Sequence, residues 1–200
     1  MIILPSAYFG STEYWTAIVQ GGTEVVIDLG ENYVKRSERN RTSIMTSGGV
    51  MQLSIQLAHA NRPRQKMRDM RIDYSKRWQH QHLVAMESAY RSSPYHIYYA
   101  ERFADLYNKE WRYLVDMNMA TLERICSILK VDTPRISEEY IIASPEDIDL
   151  RDKRRGSTFV AEPYFQVFSD RLPFEGNLSI YDLVMCEGPD SIDVLSQSQL

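Results

Sequence analysis

The order of elements in the first 29 residues constrains this chain more than any other feature. Ile2–Leu4 is a short apolar run closed by Pro5, the pattern of a buried strand that ends at a turn. Ser11 or Thr12 then offers a side-chain oxygen to open a helix over about 12–20. Trp15, Ile18 and Val19 share one face of it, and Gly21-Gly22 stops it. Glu24–Leu29 is a second strand, rich in β-branched residues, with Asp28 near its end. Strand, helix and strand in so short a span make a βαβ unit, with a parallel strand pair and a right-handed crossover.

The remainder adds a hairpin and then helices. Thr42–Met45 and Val50–Leu57 flank Ser47-Gly48-Gly49, a hairpin turn signal. In the second arm Met51, Leu53, Ile55 and Leu57 alternate with polar residues, so one face is buried. Residues 58–69 are polar and basic and read as a loop, and Met70–Asp73 as a short strand. Trp78, His82, Met86 and Tyr90 recur every four residues on one helix. Ser93 and Pro94 suit the cap and first position of a second helix, whose inner face is Tyr95, Tyr99, Phe103 and Leu106. Leu114 to Leu129 carries a longer third helix. Tyr140–Ile142 and Phe165–Phe168 are strand candidates, Ser179–Cys186 is a short helix or strand, and the tail from about 192 is expected to be loose. The expected class is α/β or α+β. It is a mixed sheet with an N-terminal βαβ unit and a β-hairpin, packed by a three-helix segment at about 75–131, in one domain over 1–200.

Two hundred residues can bury a sizeable core without a disulfide or a metal. Cys126 and Cys186 form no motif, and Cys126 sits among apolar helix positions. The N-terminus lacks the charged start and long apolar stretch of a signal peptide, and no window suits a membrane span, so the cytoplasm is expected. The net charge of −4 hides a segregation. Residues 35–77 hold eleven Lys and Arg against three acids, a local +8, and the rest of the chain carries −12. That points to a local site for an anionic small molecule and argues against a nucleic-acid partner.

The sharpest local feature is Lys35-Arg36-Ser37-Glu38-Arg39-Asn40-Arg41, directly after the second strand. In α/β sheets, ligands collect beyond the carboxyl ends of strands. Guanidinium forks match phosphate or carboxylate, so Lys35, Arg36, Arg39 and Arg41 suit a pyrophosphate. The alternative is a solvated basic loop with Glu38 pairing locally. His82 is the candidate general base, on the same helix face as Trp78 and Tyr90. Its alternative is a core-edge histidine with a hydrogen-bonded ring. His80 points elsewhere, which disfavours a metal pair on that helix, and His59 and His96 have no evident partner. Asp28 and Asp182 could orient a histidine or cap a helix. Glycine-rich phosphate loops, GxSxG elbows and HExxH are missing. No metal or cofactor is expected.

Together these segments resemble the WbqC-like family of bacteria. That family opens with a strand and a Q-P-x-Y-x-P-W motif, which stands here as Leu4-Pro5-Ser6-Ala7-Tyr8-Phe9-Gly10. The glutamine is replaced by Leu4, and the second proline and the tryptophan are absent. An acidic strand end and a K-R-S-x-x-N-R-type motif match Asp28 and Lys35–Arg41. W-x-x-x-H, a tyrosine and A-P-Y appear as Trp78, His82, Tyr90 and Ser93-Pro94-Tyr95. Later elements look like Tyr164-Phe165-Gln166 and Leu178–Gly188, so the likeness runs over roughly 5–190. It implies a role in bacterial surface polysaccharide or amino-sugar biosynthesis, as an acyl or aminoacyl (glycine-like) transferase acting on a nucleotide-linked sugar. On that reading the four basic residues hold phosphates, Asn40 bonds a sugar or acyl oxygen, and His82 takes a proton. Tyr8 and Tyr90 wall the pocket, and Asp28 lies at the substrate. The rival is a non-catalytic binding or accessory protein of glycan assembly.

Overall fold

The computed structural model describes residues 1–58, 64–152 and 156–200. Its centre is the expected βαβ unit. Strand β1 (Ile2–Pro5) pairs in parallel with β2 (Val25–Asp28), with Leu4 opposite Ile27. Helix α1 (Thr12–Gly21) joins them. Ser11 is its N-cap: the hydroxyl accepts from the Tyr14 amide at 3.3 Å, satisfying one of the helix's orphan donors. Gly22 ends it in a left-handed conformation, φ +51°.

The hairpin is present but separate. Strands β3 (Arg41–Thr46) and β4 (Gly49–Ser54) pair antiparallel as a two-stranded sheet of their own. Leu53 and Ile55 are buried as the alternation requires, whereas Met51, nearer the turn, stays 43% exposed. The three expected helices follow as α2 (Trp78–Tyr90), α3 (His96–Ala104) and α4 (Leu114–Leu129). Ser93 and Pro94 do not open α3. The Ser93 amide donates back to the Tyr90 carbonyl, so this pair makes the turn between α2 and α3. Residues 59–63, including His59, lie outside the described residues. Met70–Asp73 forms only isolated bridges, Arg71 with Tyr113 and Leu57 with Ile72.

Two short strands complete a parallel sheet: β5 (Arg135–Ser137) beside β2, and β6 (Ile148–Asp149) beside β1. The order is β5-β2-β1-β6, and every neighbour is parallel. The α/β class holds. The strands expected at 140–142 and 165–168 are not strands, because side chains capture their backbone donors. The Ile141 amide donates to the Asp28 carboxylate at 3.3 Å, and the Phe165 amide to Glu187 at 3.0 Å. Gly30 makes the first of these possible. A Cβ there would lie 2.1 Å from the Tyr140 nitrogen, so only glycine lets this segment close on the end of β2.

The tail is not loose. Helix α5 (Ile180–Glu187) is followed by α6 (Ser191–Gln197), which lies against α1. Val194 and Leu195 are buried, and the Gln20 amide donates to the Leu195 and Ser198 carbonyls at the end of α6. The polar composition of this stretch conceals one buried apolar pair, enough to dock a short helix. Buried apolar residues from Leu4 to Leu195 form one contiguous cluster.

Candidate functional site

Along the sheet, the chain steps from β1 to β2 to β5 in one direction, then returns to the far side of β1 for β6. The strand order therefore reverses between β1 and β6. Such a reversal point opens a crevice at the carboxyl ends of the two strands. A cleft of about 320 Å³ lies there. Leu4 and Pro5 from β1, and Leu150, Arg151 and Asp152 after β6, form its floor. The first turn of α1, the 36–39 loop and the hairpin form its sides, and Ser157, Asn177 and Ser179 close it from the C-terminal part.

The basic motif divides at this cleft into residues already committed and residues still available. Arg39 is buried and lies in an ion pair with Glu31, whose carboxylate accepts from Nε at 2.8 Å and also from Nη2. Burial pushes the Glu31 carboxyl up, and Arg39 acts against that shift. Arg39 thus spends its fork inside the protein, although it reaches the cleft wall. Asn40 is structural. It accepts from the Tyr33 hydroxyl at 2.9 Å and donates to the Ile55 carbonyl at 3.0 Å. Arg36 and Arg41 line the cleft, and Lys35 is exposed outside it. Arg36 sits in the left-handed region, φ +56°, rare for a residue with a side chain. Arg41 donates from Nη1 to Gln52 at 2.8 Å. Its Nε is buried and has no partner among the described residues. The hydroxyl of Thr42, a cleft residue only 5% exposed, also lacks one. A buried polar atom without a partner is costly, about 1–3 kcal/mol, so a ligand's acceptors would relieve this wall.

Sequence reasoning missed several cleft residues. Glu38 does not pair locally. It crosses to the start of α1, where its carboxylate accepts from the Ser11 amide at 2.9 Å and hydroxyl at 3.1 Å. Burial raises its proton affinity, opposed by the two Ser11 bonds. Arg151 lies 112 residues after Arg39, and no motif marks it. It pairs with Asp28 and Asp149, and its carbonyl accepts from Arg39 at 3.1 Å. Asp28 is accordingly sealed beneath the cleft. It accepts from the Gly30 amide at 2.8 Å and from Arg151, so a direct substrate contact by Asp28 is not what the geometry provides.

The structure does not bring His82 to the cleft. The ring is 3% exposed and packs among Tyr8, Trp78 and Tyr107. Its Nδ1 lies 2.9 Å from the Tyr8 hydroxyl, which also bonds to Tyr107. Burial lowers its pKa from 6.5 to about 4, against a weaker opposing hydrogen bond at the Ser54 backbone. Tyr8 and Tyr90 do not line the cleft either. Tyr90 donates to Asp182 at 2.7 Å and accepts from the Met45 amide at 3.0 Å. Asp182, also bonded by Tyr164 at 2.7 Å, is pushed up to about 6 by burial. Side chains that fill one helix face at four-residue spacing pack together, and here that packing excludes solvent. Among the described residues, no group of three or more His, Cys, Asp or Glu side chains could hold a metal ion.

The basic loop, strands β2, β5 and β6 and the tryptophan-bearing helix are carried by residues 6–154, and the model of the WbqC-like protein family matches that span. The chain belongs to the WbqC-like protein family. This WbqC-like chain is also similar to the Uncharacterized protein Rv1507c of Mycobacterium tuberculosis (strain ATCC 25618 / H37Rv), 31% identical over 111 residues. That match covers 55% of this chain and 48% of the mycobacterial protein, so it spans about half of that relative's length. No solved structure matches. The family match ends at 154, whereas the cleft of this WbqC-like protein also uses Ser157, Asn177 and Ser179. Among its described residues no helix is long and apolar enough to cross a membrane.

Proposed function

We propose that the cleft at the strand reversal seats the phosphates of a nucleotide-linked sugar. The protein is then a transferase of bacterial surface polysaccharide or amino-sugar biosynthesis, moving an acyl or aminoacyl group. One observation carries the binding half of this reading. Arg36 and Arg41 make no ion pair among the described residues, and the Arg41 Nε and the Thr42 hydroxyl are buried beside them without partners. A phosphate supplies acceptors for all of them, and charge-assisted hydrogen bonds are the strong ones. Family membership supports the pathway. Seryl hydroxyls and the Gln52 and Asn177 amides in the lining suit a polyol.

A thermal-shift titration with UDP-glucose and related nucleotide sugars tests the binding half. A concentration-dependent rise in Tm is expected, because a ligand that binds only the folded state stabilises it. The rise should shrink in Arg41→Gln. If no nucleotide sugar or sugar phosphate moves the Tm, the cleft is not a phosphate seat.

The second reading, a non-catalytic accessory protein of glycan assembly, is favoured by the position of His82. With that ring sealed and its pKa near 4, no histidine among the described residues lines the cleft. Among the described lining residues, the carboxylates are the groups that could take a proton in transfer chemistry. Turnover of an acyl donor and a nucleotide sugar supplied together separates the two readings. Binding without turnover leaves the accessory role.

A further inference from the structure

The cleft is not a plain anion site. Glu13 and Glu38 line it together with Arg36 and Arg41, and Asp152 adds a third carboxylate. Glu13 is engaged, accepting from the Ser157 hydroxyl at 2.9 Å and the Asn177 amide at 3.2 Å. Among the described residues, Glu38 is engaged at Ser11, through one bond to each oxygen. A carboxylate has about four acceptor positions, so two remain on a side chain that lines the cavity. A ligand bearing only negative charge would meet these carboxylates as like charges. The Thr42 hydroxyl and the Arg41 Nε, both buried without partners among the described residues, are polar atoms in the lining that a ligand can bond.

We propose that the ligand is dipolar: a phosphate seated by Arg36, Arg41 and Thr42, and an ammonium group on the same molecule seated by the Glu38 carboxylate. This deepens the reading above and rests on it. Glu38 is then the specificity-determining residue, separating an amino sugar from its hydroxyl counterpart. The physical basis is that an ammonium adds a charge–charge attraction to its hydrogen bond with the carboxylate, which a neutral hydroxyl does not. Ser11 holds Glu38 in place, and the N-terminal end of α1 adds a partial positive charge that helps to keep it ionised.

The test compares two ligands on the full, unaltered chain by isothermal titration calorimetry: glucosamine 1-phosphate and glucose 1-phosphate. They share the phosphate and differ by one ammonium. The amino form is expected to bind about tenfold tighter or more near pH 7, a difference of about 1.4 kcal/mol. The preference should narrow as the pH falls into the raised carboxyl range of Glu38. Equal dissociation constants overturn the dipolar ligand and leave the phosphate seat standing. Failure of both sugar phosphates to bind overturns the phosphate seat and this inference together. In Glu38→Gln, with folding verified by circular dichroism, the preference should vanish; its survival overturns the role of Glu38.

Discussion

Among the described residues, polar atoms in the cleft are left without partners, whereas His82, Tyr8 and Tyr107 bond to one another. The Arg41 Nε and the Thr42 hydroxyl wait at the mouth of the sheet, whereas the imidazole and the hydroxyls of Tyr8 and Tyr107 bond to one another in the interior. The same residue chemistry does opposite things in the two places. Polar groups that satisfy each other and exclude water stabilise the fold and are closed to substrate. Polar groups that remain unsatisfied at a crevice weaken the fold slightly and can be repaired by a ligand. On the proposed reading, binding belongs to the loop and structural support to the imidazole pocket.

The largest effect should come from the residue that bridges the two regions. Arg39 belongs to the basic motif but is paired in the interior, so Arg39→Ala strands the buried Glu31 carboxylate. Denaturant unfolding should show a loss of about 3–5 kcal/mol. A loss below about 1 kcal/mol would mean that Arg39 is as available as Arg36, and the division of the motif would fail.

Next comes pH. A neutral ring is favoured in the folded state, where the His82 pKa is about 4, while the unfolded chain takes up the proton near 6.5. Its contribution is therefore complete above pH 6.5 and is lost as the pH falls toward 4, by about 3 kcal/mol. Asp182 works in the opposite direction. With a folded pKa of about 6, its charged form opposes folding above that pH, and acidification from 6 toward 4 removes the penalty. The two slopes offset each other in the intact chain. Stability measured by denaturant unfolding from pH 7 to 4 should fall more steeply in Asp182→Asn than in the intact protein. In His82→Gln it should instead rise on acidification. Parallel curves in all three proteins would show that neither group is sealed as the structure has it.

His82→Ala removes one of the two partners of the Tyr8 hydroxyl and leaves a cavity between Trp78 and Tyr107. A stability loss of about 2–3 kcal/mol is expected. Ligand affinity, measured well below the Tm of the variant, should be nearly unchanged. A variant with intact stability and lost binding would return His82 to the site. The smallest effect on stability is expected for Arg36→Gln, exposed and without an ion pair among the described residues, within about 0.5 kcal/mol by thermal unfolding. Its affinity for sugar phosphates should nonetheless fall severalfold.

Much of the fold was legible before any coordinates, and the legible part has one physical character. Trp15 and Ile18 on one face, the seryl cap at Ser11 and the glycines at 21 and 22 are local signals, and α1 obeys them. The hairpin turn and the three helices are local in the same sense. Signals were lost where a distant side chain intervened. Tyr140–Ile142 reads as a strand until Asp28 captures the Ile141 amide, and the C-terminal stretch reads as loose until Val194 and Leu195 find α1.

The sequence by itself determined that a parallel βαβ unit forms and that a dense basic loop follows its second strand. Neither result depends on contacts from far along the chain. Only the tertiary structure decided that β6 returns to the other side of β1, that Arg151 arrives to neutralise Asp28, and that Glu38 reaches Ser11. It also decided that His82 is closed off while Arg41 is not. Periodicity tells which side chains share a face, but whether that face meets solvent or another element depends on which distant segments the fold packs against it.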